Sequence, residues 1–207
     1  MKNKLTYPIL VIKTEDVETF TEGYYVDSFE ADQAVPYSWV ARNVAEEDTS
    51  YLQPIPYVSI KCKNKIALFL RYKGGEKRLA GRYTIGIAGH IEMKDALWAD
   101  TVYEIIEHGA IREIQEELVI SPEFIKTMES CDHAEGIEFI DLRAQGTNNE
   151  GVNDVHLGIP ITIKLTKKIP MVVNGDELKF IGWKTKEELQ KLDNLEDWSL
   201  YLVNNET

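Results

Sequence analysis

"GAIREIQEELVI", residues 109–120, places Arg112, Glu113, Glu116 and Glu117 at the end of a helical pattern that begins near residue 101. At about 100° per residue, Glu113, Glu116 and Glu117 are i, i+3 and i+4 neighbours and share one side of the helix. Val102, Ile105, Ile106 and Gly109 lie further back on that side, so the acids continue an apolar, inward-facing stripe. A second stripe of Ile111, Ile114 and Leu118 predicts burial on the opposite side as well. Three such carboxylates repel by a few tenths of a kcal/mol per pair even when exposed. They oppose the macrodipole at the helix C-terminus, and partial burial raises their cost further. Most Glu-rich helix ends are plain solvated faces, but a divalent cation would reverse all three costs here. Clustered hard oxygen donors suit Mg²⁺ or Mn²⁺, ions that keep waters and share positions with substrate phosphates.

Around this helix the pattern is mixed. "PILVIK" (8–13) reads as a first strand, and residues 14–50 follow with a weak helical signal near "YSWVARNVAEED". "PYVSIK" (56–61) and "IALFLRY" (66–72), separated by "CKNK", predict a β-hairpin. "RYTIGIAGHIE" (82–92) is β-rich and broken by Gly86 and Gly89. "VHLGIPITIKL" (155–165) alternates with period two, and "ELKFIGW" (177–183) predicts a further strand. "TKEELQKL" opens with a capping box of Thr185 and Glu188, and "NLEDWSLYLVNN" is a short amphipathic helix. Helices packed on a mixed sheet make an α/β fold. We expect residues 1–55 as an N-terminal strand and elaboration on a core of 56–207, in one structural domain.

The 207 residues are 43% hydrophobic, enough for one substantial core. A formal net charge of −12 argues against nucleic acid or an anionic membrane as partner. Cys62 and Cys131 have no metal-type spacing. The N-terminal apolar run is too short for a signal core, and no stretch reaches membrane length. These features predict a cytoplasmic protein.

With Glu104, seven intervening residues and then "REIQEELVI", the chain resembles the Nudix hydrolases. Their box has the form G-x5-E-x7-R-E-U-x-E-E-x-G-U, with U a bulky apolar residue. Glu104, Arg112, Glu113, Ile114, Glu116, Glu117 and Ile120 fall in register. "AGHIE" resembles the opening of the box, with Gly89 as its first glycine. Gly89 and Glu104 are separated by fourteen residues in place of five, so nine residues around "KDALWADTV" look inserted. Val119 stands where the box has its second glycine. A weaker similarity, through "SWVARNVAEEDTSYLQPIPYV" and "YTIGIAGHI", points to a branch of predicted Nudix phosphoesterases that also carries extra residues in the box.

The resemblance implies an α/β/α sandwich with a mixed sheet. It also implies hydrolysis of a nucleoside diphosphate linked to another moiety, with Mg²⁺ or Mn²⁺ held by Glu113, Glu116 and Glu117 and the carbonyl of Ala88. Glu104 and Arg112 would orient the ligands as an ion pair. The proton acceptor would be Glu113, or Glu150 or Asp154 in "NNEGVNDVH", while a lone His156 in a strand reads as structural. In "RYKGGEKRLAGR", Arg71, Arg78 and Arg82 are candidates for a phosphate-binding rim, against a plain reading as a solvated loop. The partner would be a small nucleotide-type molecule, and homodimers are frequent in the family. Two rivals remain. One is an isopentenyl-diphosphate-isomerase-like enzyme, although Ile87 and Ala88 stand where that group has a cysteine. The other is a non-catalytic nucleotide-binding regulatory module.

Overall fold

The computed structural model describes residues 6–20, 23–25, 36–72, 79–133, 138–139 and 155–205. The chain divides into two compact units, the first comprising Met1–Tyr57, Ala88–Arg112 and His133–Pro160. At its centre β1 (Pro8–Lys13) buries four consecutive aliphatic residues, Ile9 to Ile12. A continuous apolar run of this kind suits a strand covered on both faces. β2 (Glu18–Phe20) and β3 (Gly23–Tyr25) follow. β4 (Ser38–Ala41) pairs antiparallel with β1, Pro8 opposite Ala41 and Val11 opposite Ser38. It leads into α1 (Arg42–Ala45), a single turn, so the helical signal near residue 40 divides into a strand and this turn. β5 (Tyr51–Cys62) meets β1 through Ile12 and Leu52.

In the second unit, Val58–Ile87, Glu113–Asp132 and Ile161–Thr207, the end of β5 forms the expected hairpin with β6 (Lys65–Arg71), Lys61 opposite Ile66. Lys63 turns the corner at a φ of 55°. β7 (Tyr83–Thr84) lies against β6, and β8 (Gly86–Ala88) follows. α2 (Val102–Glu117) occupies the predicted range; its residues to Arg112 belong to the first unit and those from Glu113 to the second. α3 (Pro122–Thr127) starts with Pro122 at its first position and a Ser121 cap, whose hydroxyl accepts from the Phe124 N–H at 3.1 Å. β9 (Met128–His133) comes next; β10 (Glu138–Phe139) belongs to the first unit, as does β11 (His156–Leu165) as far as Pro160. In β11, Ile161, Ile163 and Leu165 are buried while Lys164 is exposed, as the alternation predicts. β12 (Leu178–Lys184) runs antiparallel to β6, with a bulge between Phe180 and Gly182. Gly182 adopts a φ of +143° there, a value open to glycine and strained for other residues. α4 (Lys186–Leu189) has the predicted capping box, and α5 (Asp197–Asn205) closes the chain.

The first turns of α2 supply Val102, Ile105 and Ile106 to a core with Leu10, Ile12, Leu52, Ile91, Leu157 and Ile159. Of the second stripe, Ile114 and Leu118 are buried as expected. Ile111, expected inside, is 52% exposed, so the stripe is open there. A methyl group added to Gly109 would sit 3.1 Å from Ile91 Cγ1 and 3.3 Å from Asp95 Oδ2. Asp95 is tied to Arg112 and cannot yield, so Gly109→Ala should lower stability by about 1 kcal/mol despite its helix propensity. Chemical denaturation measures this, and a stabilised variant would contradict the tight packing. Among the described residues no helix is long and apolar enough to cross a membrane.

Candidate functional site

The second unit holds the three helix carboxylates. Glu113 and Glu117 are half-buried and Glu116 is exposed. Glu117 is the unusual member. Its Oε2 is buried without a hydrogen-bond partner, and its carboxyl is pushed up from 4.5 to about 7. Burial is the largest cause, followed by Glu177 and Glu113; Arg71 opposes the rise and Glu116 adds to it. Glu177, just ahead of β12, is therefore a fourth carboxylate in the field of Glu117. The pairing of Leu178 with Arg71 explains its presence. The end of α2 is fixed by Asn174, whose backbone N–H donates to the Glu117 carbonyl at 2.8 Å and whose side chain donates to the Gln115 carbonyl at 3.0 Å. Carbonyls that a helix end leaves open are thus satisfied, which holds the acids in place.

Arg71 and Arg82 engage the C-terminal segment. Arg71 Nε donates to Glu196 Oε2 at 2.8 Å, and Glu196 also accepts from the hydroxyls of Thr84 and Ser199. Arg82 donates to the Leu195 carbonyl at 3.0 Å and to Asp197 at 3.1 Å. The basic rim read from sequence thus fastens the start of α5, while the charge of Arg71 is still felt at Glu117. Arg78, Glu150 and Asp154 lie outside the described residues. Cys62 is buried as a free thiol.

In the first unit, Glu104 caps the start of α2. Its carboxylate accepts from the Asp100 and Thr101 N–H groups at 2.6 and 3.3 Å, and its own N–H donates to the Thr101 hydroxyl. This is a capping box, and it occupies the acid expected beside Arg112. Arg112 instead makes a bidentate pair with Asp95, Nε to Oδ1 at 2.9 Å and an η nitrogen to Oδ2 at 3.0 Å. It also donates to the His90 carbonyl at 2.6 Å. Both side chains of the pair are almost wholly enclosed. Asp95 sits in a 3-10 turn, Met93–Ala96, inside the inserted segment. Ala88, the candidate carbonyl donor, ends β8 and is half-buried.

A second group in this unit went unread in the sequence. His90 Nε2 lies 3.3 Å from His156 Nε2, 2.9 Å from Gln53 Oε1 and 3.9 Å from Glu46 Oε1. Burial lowers the His90 pKa well below the ordinary histidine value, with Arg42, His156 and Arg112 adding to the effect.

No family model matches the chain. Protein YmaB of Bacillus subtilis (strain 168) is 30% identical over 213 residues, covering 97% of both chains. The crystal structure of Tm1382, a candidate Nudix hydrolase, superposes with a TM-score of 0.70 at 25% identity, over 95% of this chain and 96% of that one. The chain belongs to the Nudix hydrolases. DR0079 from Deinococcus radiodurans shares the fold at 13% identity, with a TM-score of 0.54 over 95% of this chain and 97% of that one. The Nudix α/β fold expected from the box is thus the fold of this chain. In this Nudix protein the segment inserted into the box provides the arginine's carboxylate partner, a contribution with no signal in the box pattern itself.

Proposed function

We propose that this Nudix hydrolase cleaves a phosphoanhydride bond in a nucleoside diphosphate linked to another moiety, using Mg²⁺ or Mn²⁺ held by Glu113, Glu116 and Glu117, with the carbonyl of Ala88 as a further donor. The observation that carries this reading is the buried, unpartnered Oε2 of Glu117 on a carboxyl held near neutrality by burial and neighbouring acids. A lone proton satisfies that oxygen poorly, and a hard divalent cation satisfies it well. When bound, such an ion neutralises charge on the phosphoryl oxygens and makes a coordinated water more acidic.

The chain's own residues do the rest. Asn174 and the capping box at Thr101 and Glu104 hold the two ends of α2. Arg112 is locked by Asp95 immediately before Glu113. Glu113, Glu150 or Asp154 takes the proton of the attacking water. Arg71, paired with Glu196 and near enough for its charge to act on Glu117, gives a positive edge for a phosphate.

The test is a panel of nucleotide sugars, dinucleoside polyphosphates, ADP-ribose, oxidised nucleotides and coenzyme-type compounds with Mg²⁺ or Mn²⁺, products identified by mass. Cleavage to a nucleoside monophosphate and a second phosphorylated fragment is expected. Binding without turnover across the panel would replace this reading with a regulatory one.

A further inference from the structure

We propose that His90, His156 and Glu46 bind a transition-metal ion of the Zn²⁺ class, a site chemically distinct from the all-oxygen glutamate set. Potential ligand atoms of the three residues lie within 4.8 Å of one another. The decisive dimension is the 3.3 Å between the two Nε2 atoms. Two imidazole nitrogens about 2.0–2.1 Å from one tetrahedral ion are separated by about 3.3–3.4 Å, so the rings already stand at the edge length of such a site. Their planes are inclined at 69°, with centroids 5.4 Å apart, so they converge on a point and do not stack.

Gln53 sets how His90 is presented. Gln53 is fully buried, and its amide nitrogen donates to the Ala45 carbonyl at 3.1 Å. That contact turns Oε1 toward His90 Nε2, 2.9 Å away. The Nε2 proton of His90 then belongs to Gln53, and His156 Nε2 faces the same nitrogen at a distance long for a hydrogen bond. An ion would take the Nε2 lone pair of each ring, with the His90 proton shifted to its Nδ1 as the other tautomer, and leave the Gln53 oxygen as a fourth donor. Glu46 supplies the anionic ligand. Arg42, which donates to its Oε1 at 2.8 Å, is the competing cation. Competition of this kind suits an exchangeable site with two histidines and one carboxylate more than a closed structural one. Imidazole donors favour zinc, copper or nickel over magnesium.

The ligands come from the end of α1, the segment after β8 and the start of β11, with Gln53 on β5. Binding therefore requires the folded first unit, and an ion there should stabilise it. The segment at residues 14–50, empty of chemistry by sequence, would then deliver an essential ligand.

Co²⁺, whose visible bands report tetrahedral nitrogen and oxygen ligation, is the probe. The full chain, stripped with a chelator, should bind one equivalent with visible bands that Zn²⁺ abolishes. Zn²⁺ should also raise the melting temperature. Glu117→Gln should keep both signals, because it touches only the glutamate set. His90→Gln should weaken Co²⁺ binding by at least about a hundredfold with an unchanged far-ultraviolet spectrum. If that variant fails to fold, Glu46→Gln, at a partly exposed position, should lower affinity likewise. The proposal is overturned if the wild type shows no Co²⁺ bands, if a folded ligand variant binds as well as the wild type, or if only Glu117→Gln loses the signal. No outcome depends on nucleotide hydrolysis, so this site and the proposed activity stand or fall separately.

Discussion

Glu117→Gln should reduce turnover by about two to four orders of magnitude while making the ion-free protein more stable above neutral pH. Both effects come from one carboxyl. Its proton is held to about pH 7 in the folded chain, against an ordinary value of 4.5. A group raised in this way stabilises the fold fully below the unfolded value and loses that contribution as pH rises through the folded one. The ion-free protein should thus lose stability between about pH 4.5 and pH 7 on account of Glu117. Because the side chain is only half-buried, screening limits the loss to about 1–2 kcal/mol. Glutamine carries no charge at any of these pH values and removes the loss. Added Mg²⁺ or Mn²⁺ should reverse the slope in the wild type, since ion binding then competes with the proton, and should do so much less in the variant. Melting curves at pH 5 and pH 8, with and without the ion, measure this. A wild-type profile identical to that of Glu117→Gln, or wild-type turnover in the variant, would remove the foundation of the metal-site reading.

The largest structural effect is expected at Asp95. Its carboxylate is 4% exposed and meets an Arg112 side chain that is 12% exposed. Removing one member of an enclosed ion pair strands the other, at about 3–5 kcal/mol. Asp95→Ala also deletes the acceptor of the Glu92 N–H at 2.8 Å. The His90 carbonyl still receives the guanidinium, which places the cost near the lower end, about 3 kcal/mol. Replacing both partners with apolar residues, Asp95→Ala with Arg112→Met, should recover much of that loss because no uncompensated charge remains. Urea denaturation of the wild type, the single and the double variant tests this. A single variant within about 0.5 kcal/mol of the wild type would mean the pair does not support α2.

Local pattern carried far in this chain, and long-range pairing carried almost nothing. β1 and α2 were readable because their signals are contiguous: four aliphatic residues in a row for the first, an apolar period with a box for the second. The capping box at Thr185 was readable for the same reason, since donor and acceptor lie three residues apart. Ile111 was misplaced because periodicity assigns a side but not how wide an arc neighbours cover. The ion pairs of Arg71 and Arg82, read from sequence as a phosphate-binding rim or a solvated loop, were invisible because their acids stand 125 and 115 residues away. His156 looked solitary because its partner lies 66 residues back, and Glu46 sat in a segment whose pattern is irregular. Asp95 was the least visible, since nothing in an inserted polar stretch marks which acid turns inward.

The Asp95–Arg112 pair also bears on how the extra residues in the box can change over time. Excising residues 93–101 to restore the shorter arrangement would strip the guanidinium of its carboxylate in the same event. Losing the arginine first would leave the aspartate enclosed instead. Each step alone passes through a damaged protein, so the lengthened loop is entrenched by the residue it serves. Shorter versions of this lineage should carry a compensating acid elsewhere or have given up the arginine.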